Sequence, residues 1–333
     1  MIVSSSPLIS AIIVNYNSIR FIGDCLKSIQ NQTYSVNEVI VVDNASVDGS
    51  VEYIKKLFPG VIVINLLENI GFAGANNEGL KQATGEHILL LNNDAEADRD
   101  CIAGLVSAME ADPVVGICAP KILQYGNDVI ESAGDGFSTN LRGFERGKGL
   151  SSDSYNKEEY VFGACAGAAL YRRAMLQEIG FLDKDFFLIY EDTDLNIRAQ
   201  LTGWKARYIP SALVHHRVRS SIGHMSDTAI FYSLRNCEFA RIKNIPLGLM
   251  LRCLPSLIIG SSLEFLYFAV KHRKPGLYIK AKIEAVKLLT KMLKKRKDII
   301  RTRKVDNRYL YSMMTPVMKR EFFSVKLKKF ING

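Results

Sequence analysis

The chain has 333 residues, of which 48% are hydrophobic and 23% charged, and a formal net charge of +9. That balance excludes bulk disorder and allows one large core, or a core domain with an extension. Six cysteines at 25, 101, 118, 165, 237 and 253 form no Cys-x-x-Cys pair, which argues against a zinc or disulfide framework and for a reducing cytosol.

The first apolar run, 9–14, stops at Asn15-Tyr16-Asn17, too early for a secretion signal or a spanning helix. A second, 39–42, ends in Asp43-Asn44, and a third, 88–91, ends in Asn92-Asn93-Asp94. Continuous apolar runs of this length read as strands buried on both faces. The predicted order is strand 9–14, helix 18–31, strand 38–42, helix 48–57, strand 61–66, helix 73–83, strand 87–91, helix 98–110 and strand 115–119. This alternation predicts an α/β fold, a mostly parallel, Rossmann-like sheet flanked by helices.

Residues 120–160 lose the pattern and scatter glycines among polar residues, which reads as a long, partly mobile substrate-binding connection. A helix is predicted over 173–179, another over 192–202 stopped by Gly203, and short strands over 208–210 and 212–215. From Pro246 the character changes. Residues 247–270 are mostly apolar but carry Arg252, Pro255 and Glu264, and from Lys271 to Lys304 fourteen Lys/Arg face two acids, a local charge of +12. The reading is a domain over 1–245 and a helical, membrane-associated extension over 246–333. Its helices would lie in the membrane interface and be held to anionic lipid by the basic run. A nucleic-acid partner is not expected.

In an open parallel sheet, ligands sit outside the carboxyl ends of the strands. Asp43 at such an end has the chemistry to accept an N–H from a nucleobase, and an Asx residue there also caps a turn. The stretch Asn69-Ile70-Gly71-Phe72-Ala73-Gly74-Ala75-Asn76-Asn77 opens a helix with glycines that let backbone approach a ligand, at a terminus that favours anions. Asn92-Asn93-Asp94 supplies one carboxylate of the kind that holds magnesium together with substrate phosphates. Glu191-Asp192-Thr193-Asp194 puts three carboxylates at one helix start, where capping alone accounts for Asp192. His215 and His216 follow a short strand.

Taken in order, these segments resemble the inverting GT-A-fold glycosyltransferases of family 2, and among them the bacterial rhamnosyltransferase-like members. The likeness runs through Asn15-Tyr16-Asn17, Val41-Val42-Asp43-Asn44, Asn69 to Asn77, Leu91-Asn92-Asn93-Asp94, Gly163 to Ala168, Phe186 to Leu195, Gly203-Trp204, His215-His216 and Tyr232-Ser233-Leu234-Arg235-Asn236, covering about residues 8–245. The resemblance implies a nucleotide-sugar site made by Asn15, Asn17, Asp43, Asn69, Gly74, Asn76, Asn93 and Arg235. It implies Asp192 as catalytic base with Glu191 beside it, and a divalent cation, Mg2+ or Mn2+, on Asp94 and His216 rather than His215. Asn92 stands where the family's Asp-x-Asp-like motif has its first carboxylate.

The implied reaction moves a sugar from a nucleoside-diphosphate sugar, with dTDP-rhamnose favoured, to a cell-surface polysaccharide or lipid-linked saccharide. It would take place on the cytoplasmic face of the membrane. A nucleotidyltransferase would carry a Gly-rich, basic loop after the first strand, where this chain has Asn15-Tyr16-Asn17-Ser18-Ile19-Arg20. A catalytically silent, membrane-bound binding protein of the same fold would lack Asp94 or Asp192, and both are present.

Overall fold

The structure, a computed structural model, describes residues 7–217 and 226–317. The end of the predicted extension, 318–333, lies outside the described residues. Four parallel strands, β1 (Ile9–Asn15), β2 (Glu38–Asp43), β3 (Ile62–Asn65) and β4 (His87–Leu91), are joined through α1 (Ile22–Gln30), α2 (Ser50–Leu57) and α3 (Gly71–Gln82). Successive strand residues point to opposite faces. Ile9, Ala11 and Ile13 therefore pack on Cys25, Leu26 and Ile29 of α1, while Ile12, with Ile40 and Val42, meets Ala73 and Ala75 of α3.

The second half is β5 (Ala95–Ala97), α4 (Cys101–Glu110), β6 (Val115–Gln124), β7 (Ile130–Ala133), β8 (Asp135–Ser138), β9 (Arg142–Glu145), β10 (Glu159–Val161), β11 (Ala168–Arg172), α5 (Arg173–Ile179), α6 (Glu191–Thr202) and β12 (Lys205–His216). The sheet runs β10-β12-β6-β11-β4-β1-β2-β3, with β5 on β12, β7 on β6, and β8–β9 as a separate hairpin. β11 is antiparallel to both β4 and β6, so it closes the parallel set.

Two expectations are corrected here. Residues 120–160 are largely ordered β-structure rather than a mobile connection: β6 continues to Gln124, and β7, β8 and β9 follow it. The two short strands predicted over 208–215 are one strand, β12, interrupted by an irregularity between Ile209 and Leu213. Pro210 lies inside that interruption, as proline does in sheets.

Five further elements follow: α7 (Asp227–Asn244), α8 (Leu247–Phe265), which runs on as a π-helical stretch Leu266–Lys271, α9 (Pro275–Lys287), α10 (Leu289–Arg301) and α11 (Asn307–Ser312). The change of composition at Pro246 is not a break in packing. Leu249, Ala285, Met292 and Leu310 share one buried cluster with Phe137, Phe186, Ile197 and Phe239. Part of the basic run is paired with acids of the domain: Lys295 with Asp183 (2.5 Å) and Asp185 (2.7 Å), Lys291 with Asp185 (2.6 Å), and Lys304 with Glu178 (2.7 Å). Against the cost of burial, Lys243 and Lys295 hold the Asp183 carboxyl well below the ordinary range.

A chain ending at Pro246 should therefore aggregate or lose its cooperative melt, because it uncovers this cluster, strips Asp185 of its two lysines and leaves Asp183 with Lys243 alone. Light scattering and a circular-dichroism melt of residues 1–246 test this. A monodisperse fragment with the full-length Tm would show that the helices are only appended.

Candidate active site

The carboxyl ends of β1, β2 and β4 are tied to one another by the amides and carboxylate that end each run. Asn15 Nδ2 donates to Asp43 Oδ1 (2.8 Å) and Ser50 Oγ (2.8 Å), and Asn93 Nδ2 donates to Asn15 Oδ1 (3.4 Å). Asp43 Oδ2 accepts the Ser46 N–H (2.9 Å), so both carboxylate oxygens already hold one bond. Asn17, at positive φ, accepts the Val47 N–H. Asn44 joins this ridge to the start of α3 by donating to Asn69 Oδ1 (2.9 Å) and accepting from Ile70 N (2.9 Å). Asn76 is buried and donates to Phe72 O within α3.

The glycine-rich turn serves a purpose the sequence did not disclose. Gly71 has φ +79°, and a Cβ there would come within 2.5 Å of Phe187 O. That same carbonyl accepts the Ala73 N–H at 3.1 Å, so the opening turn of α3 is joined to the loop before α6. Gly74 fits closely against Ile70, with its nearest Cβ contact at 3.1 Å.

The loop before α6 is under backbone strain. Phe187, Ile189 and Tyr190 all have φ between 64° and 76°, a region that costs a non-glycine residue about 1–3 kcal/mol. Asn236 Nδ2 holds it by donating to the carbonyls of Phe186 (2.8 Å), Leu188 (2.8 Å) and Ile189 (2.6 Å). Arg235 Nη2 adds bonds to Asp185 O (2.9 Å) and Phe186 O (3.1 Å), and its Nε donates to Asn236 Oδ1 (2.9 Å). The guanidinium read from the sequence as a nucleotide contact is thus engaged with this loop. Phe187 stacks on Tyr232, with ring centroids 5.3 Å apart.

At the end of that loop the three carboxylates part company. Asp194 is fully buried and turned inward, bonded to Arg198 (2.9 Å), Lys243 (2.8 Å) and Asn244 (2.8 Å), which accounts for it without chemistry. Glu191 is buried with Oε2 unpartnered, and burial, then the Asp192 charge, pushes its carboxyl well up. Asp192 Oδ1 accepts the Thr193 N–H (2.6 Å) and Oδ2 the Ala166 N–H (3.3 Å). Burial raises its carboxyl above the ordinary range, against those two N–H groups and with help from Glu145. A helix start favours the ionised form, but desolvation outweighs it here.

Asp94 lies on the other side of the 163–168 segment, which spans the gap: Gly167 O accepts from Asn92 N at 2.8 Å, and Ala166 N reaches Asp192. His216 Nε2 lies 3.1 Å from Asp94 Oδ1, and its Nδ1 lies 2.7 Å from Glu131 Oε2. Burial opposes the imidazolium, but these two carboxylates win and push the His216 pKa up to about 10. His215 instead faces Asp98 (3.2 Å). Among the described residues no three His, Cys, Asp or Glu side chains converge as a metal cage.

Three acidic residues here were missed from the sequence: Glu131, Asp135 and Glu145, all from the stretch read as a loop. Asp135 is buried, and desolvation, then Asp192 and Glu145, push its carboxyl well up. The signal was the alternation Ile130-Glu131-Ser132-Ala133 before Gly134 at φ +75°, which reads as a strand and turn.

A family description, "Glycosyl transferase family 2", matches residues 10–180. The chain belongs to that family. It is 25% identical over 219 residues to poly-beta-1,6-N-acetyl-D-glucosamine synthase of Staphylococcus aureus (strain COL), an alignment covering 65% of this chain and 51% of that protein. It is 26% identical over the same length to the synthase of Staphylococcus epidermidis. The chain thus spans about half the length of the curated relatives it matches.

Among solved structures, it is similar to S. aureus TarS 1-349 in complex with UDP-GlcNAc (TM-score 0.56, 19% identity, 88% of this chain and 89% of that one). It is also similar to the mannosyltransferase PcManGT from Pyrobaculum calidifontis in complex with GDP-Man and Mn2+ (TM-score 0.53, 18% identity, 99% and 88%). These likenesses show the GT-A fold, a mixed, mostly parallel sheet flanked by helices.

Removing the Asn236 amide should release the strained turn. Asn236→Ala leaves the Leu188 and Ile189 carbonyls short of a donor, at about 1–3 kcal/mol for each buried group left unsatisfied, while Phe186 O keeps Arg235 Nη2. It should lower Tm by several degrees and lower kcat more than the donor KM. An unchanged Tm and kcat would show that the turn holds itself.

Proposed function

We propose that this protein is an inverting, nucleotide-sugar-dependent glycosyltransferase that extends a cell-surface polysaccharide or a lipid-linked saccharide precursor at the cytoplasmic membrane face. The observation that carries the reading is Asp192: a carboxylate raised by burial, fixed by two backbone N–H groups, and linked through the 163–168 segment to the turn that bears Asp94. A base works best when its pKa approaches the working pH, and desolvation moves Asp192 in that direction.

In this reading Asn15, Asn17, Asp43 and Asn93 frame the nucleobase pocket, and Asn69, Gly74 and Asn76 shape the nucleotide's far wall. Asp43 keeps lone pairs beyond the bonds to Asn15 and Ser46, so it can accept a base N–H without giving up the ridge. Asp94 Oδ1 would hold Mg2+ or Mn2+ with diphosphate oxygens completing the shell, and His216 would join as a ligand on giving up the Nε2 proton it shares with Asp94. When bound, the cation neutralises charge developing on the leaving diphosphate. Asp192 accepts the acceptor hydroxyl's proton as that oxygen attacks the anomeric carbon from the face opposite the diphosphate. The sugar carbon meanwhile passes through an oxocarbenium-like state. Burial and the Asp192 charge disfavour ionisation of Glu191, which limits repulsion beside Asp192, and Arg235 acts by positioning the loop.

The donor we favour is UDP-N-acetylglucosamine. The rhamnosyltransferase-like motif order suggests dTDP-rhamnose, but the relatives' names carry N-acetylglucosamine and TarS was solved with UDP-GlcNAc. A screen of UDP-, dTDP- and GDP-sugars for released nucleoside diphosphate decides this: turnover with dTDP-rhamnose and none with UDP-GlcNAc would reverse the assignment.

Asp192→Asn should lower turnover by about 10²–10⁴-fold with little effect on donor binding. Because the raised carboxyl must lose its proton to act, wild-type kcat/KM should climb with pH through a pKa above the usual carboxylate range and then level off. The variant should lose that rise. If the same rising limb persists in Asp192→Asn, the base lies elsewhere.

Asp94→Ala should abolish most cation-dependent turnover while the fold is retained. Full activity in chelator, or a near wild-type rate for the variant, refutes the metal assignment.

A further inference from the structure

The helix Leu247–Lys271 is long and apolar enough to cross a membrane by length and composition, with a mean hydropathy of 1.6 over its best window. Its packing says otherwise. Leu249, Cys253, Gly260 and Glu264 form a buried stripe against the domain. A Cβ on Gly260 would stand 2.7 Å from Asn140 Nδ2, so the helix backbone sits directly on the β8–β9 turn. Glu264 is ion-paired with Arg142 of β9 and lies 3.7 Å from Lys282 of α9. A spanning orientation would tear these contacts apart or carry an Arg–Glu pair into hydrocarbon, and buried pairs broken at one partner are costly.

The opposite face is bare. Leu247, Leu251, Leu254, Ile258, Leu263 and Val270 are between 43% and 64% exposed. Between Leu247 and Lys271 the only acid is Glu264, on the buried side. On α9, Ile279, Ile283 and Val286 are likewise exposed, while Ala281 and Ala285 face inward. A soluble monomer seldom leaves so long an apolar surface uncovered. Exposed Arg252, Arg273, Lys280 and Lys287 lie among these residues, so the surface joins apolar area to positive charge.

From this we infer that α8 and α9 lie flat on an anionic bilayer, each by the face turned away from the sheet, and that α8 does not span it. The inference deepens the membrane location proposed above and rests on it. The basic residues paired with Asp183, Asp185 and Glu178 have their charge partly neutralised within the protein; the cations on the outer faces select the lipid. Because Glu264 and Gly260 hold α8 to the β8–β9 hairpin, which bears Glu145 at its end, the docked face also sets the site's distance from the bilayer.

The full chain should be sedimented at low salt with phosphatidylcholine vesicles and with vesicles containing phosphatidylglycerol. Wild type should partition strongly to the anionic vesicles, partly release at high salt, and be stripped by alkaline carbonate. Leu251→Ser with Ile258→Ser, both at exposed positions, should weaken partitioning by at least about tenfold at unchanged Tm. Lys280→Glu with Lys287→Glu should lose affinity for anionic vesicles only, by about fivefold or more per residue.

Ile258→Trp should be quenched by lipids brominated near the headgroup and not by those brominated at the chain end. Retention through carbonate with deep quenching would overturn the flat orientation. Absence of vesicle binding, with a concentration-dependent oligomer lost in Leu251→Ser/Ile258→Ser, would assign the face to a second copy of the chain. No donor is used in these measurements, so their failure leaves the transferase reading standing, and a failed donor screen leaves this one.

Discussion

The left-handed turn at 187–190 is the constraint on which the site depends. Three non-glycine residues in that region are unfavourable by several kcal/mol together, and the turn exists only because its neighbours over-determine it. Asn236 bonds three of its carbonyls, Arg235 braces the residues before it, and Gly71 leaves space for Phe187 O. The result is a sharp entry into α6 that turns Asp194 inward to Arg198 and Lys243 while Asp192 meets Ala166 N. A regular lead-in would rotate all three carboxylates together around the helix. The strain separates Asp194, a framework ion, from Asp192, the carboxylate proposed as the base.

The same economy runs along the sheet edge. Asn15, Asn44, Asn69 and Asn93 are at once the groups that line the strand ends and the bonds that hold those ends in register. An amide suits both uses because it donates and accepts together, and it adds no charge next to a diphosphate. Beyond Asp43, charge is concentrated in two places, the Asp94–His216–Glu131 relay and the acidic group around Asp192. In the first, the imidazolium relieves two carboxylates that would otherwise repel. In the second there is no such cation among the described contacts of Asp192, and the acids respond by holding their protons more tightly.

The parallel strands and their helices were legible because β1, β2 and β4 are buried on both faces and read as unbroken apolar runs, and because each ends in a polar residue that needs the sheet edge. Gly203 was legible as a cap and stands at φ +89°. What failed to read was the region where burial is supplied by polar residues. Ser132, Asp135, Ser138, Thr139 and Asn140 are buried beside Ile130, Ala133, Phe137 and Leu141, so β7 and the β8–β9 hairpin show only a short, diluted alternation and pass for a loop. Arg235 and Asn236 were visible as a motif, but their partners are carbonyls 47–50 residues away, which no local pattern reveals.

The C-terminal helices show the limit of reading charge by composition. A run of +12 looks like a single patch, yet its members divide according to which side of a helix they occupy. Those facing in neutralise Asp183 and Asp185, acids the domain could not otherwise bury, while Lys304 pairs with the exposed Glu178 at the surface. Those facing out stand beside Ile279, Ile283 and Val286, where Lys287 pairs with Glu284 of the same helix. Inward lysines fasten the helices to the sheet, and only because they do is the outer face held rigidly enough to present its apolar residues as one surface. Anchoring within the protein and contact beyond it are two sides of the same helices.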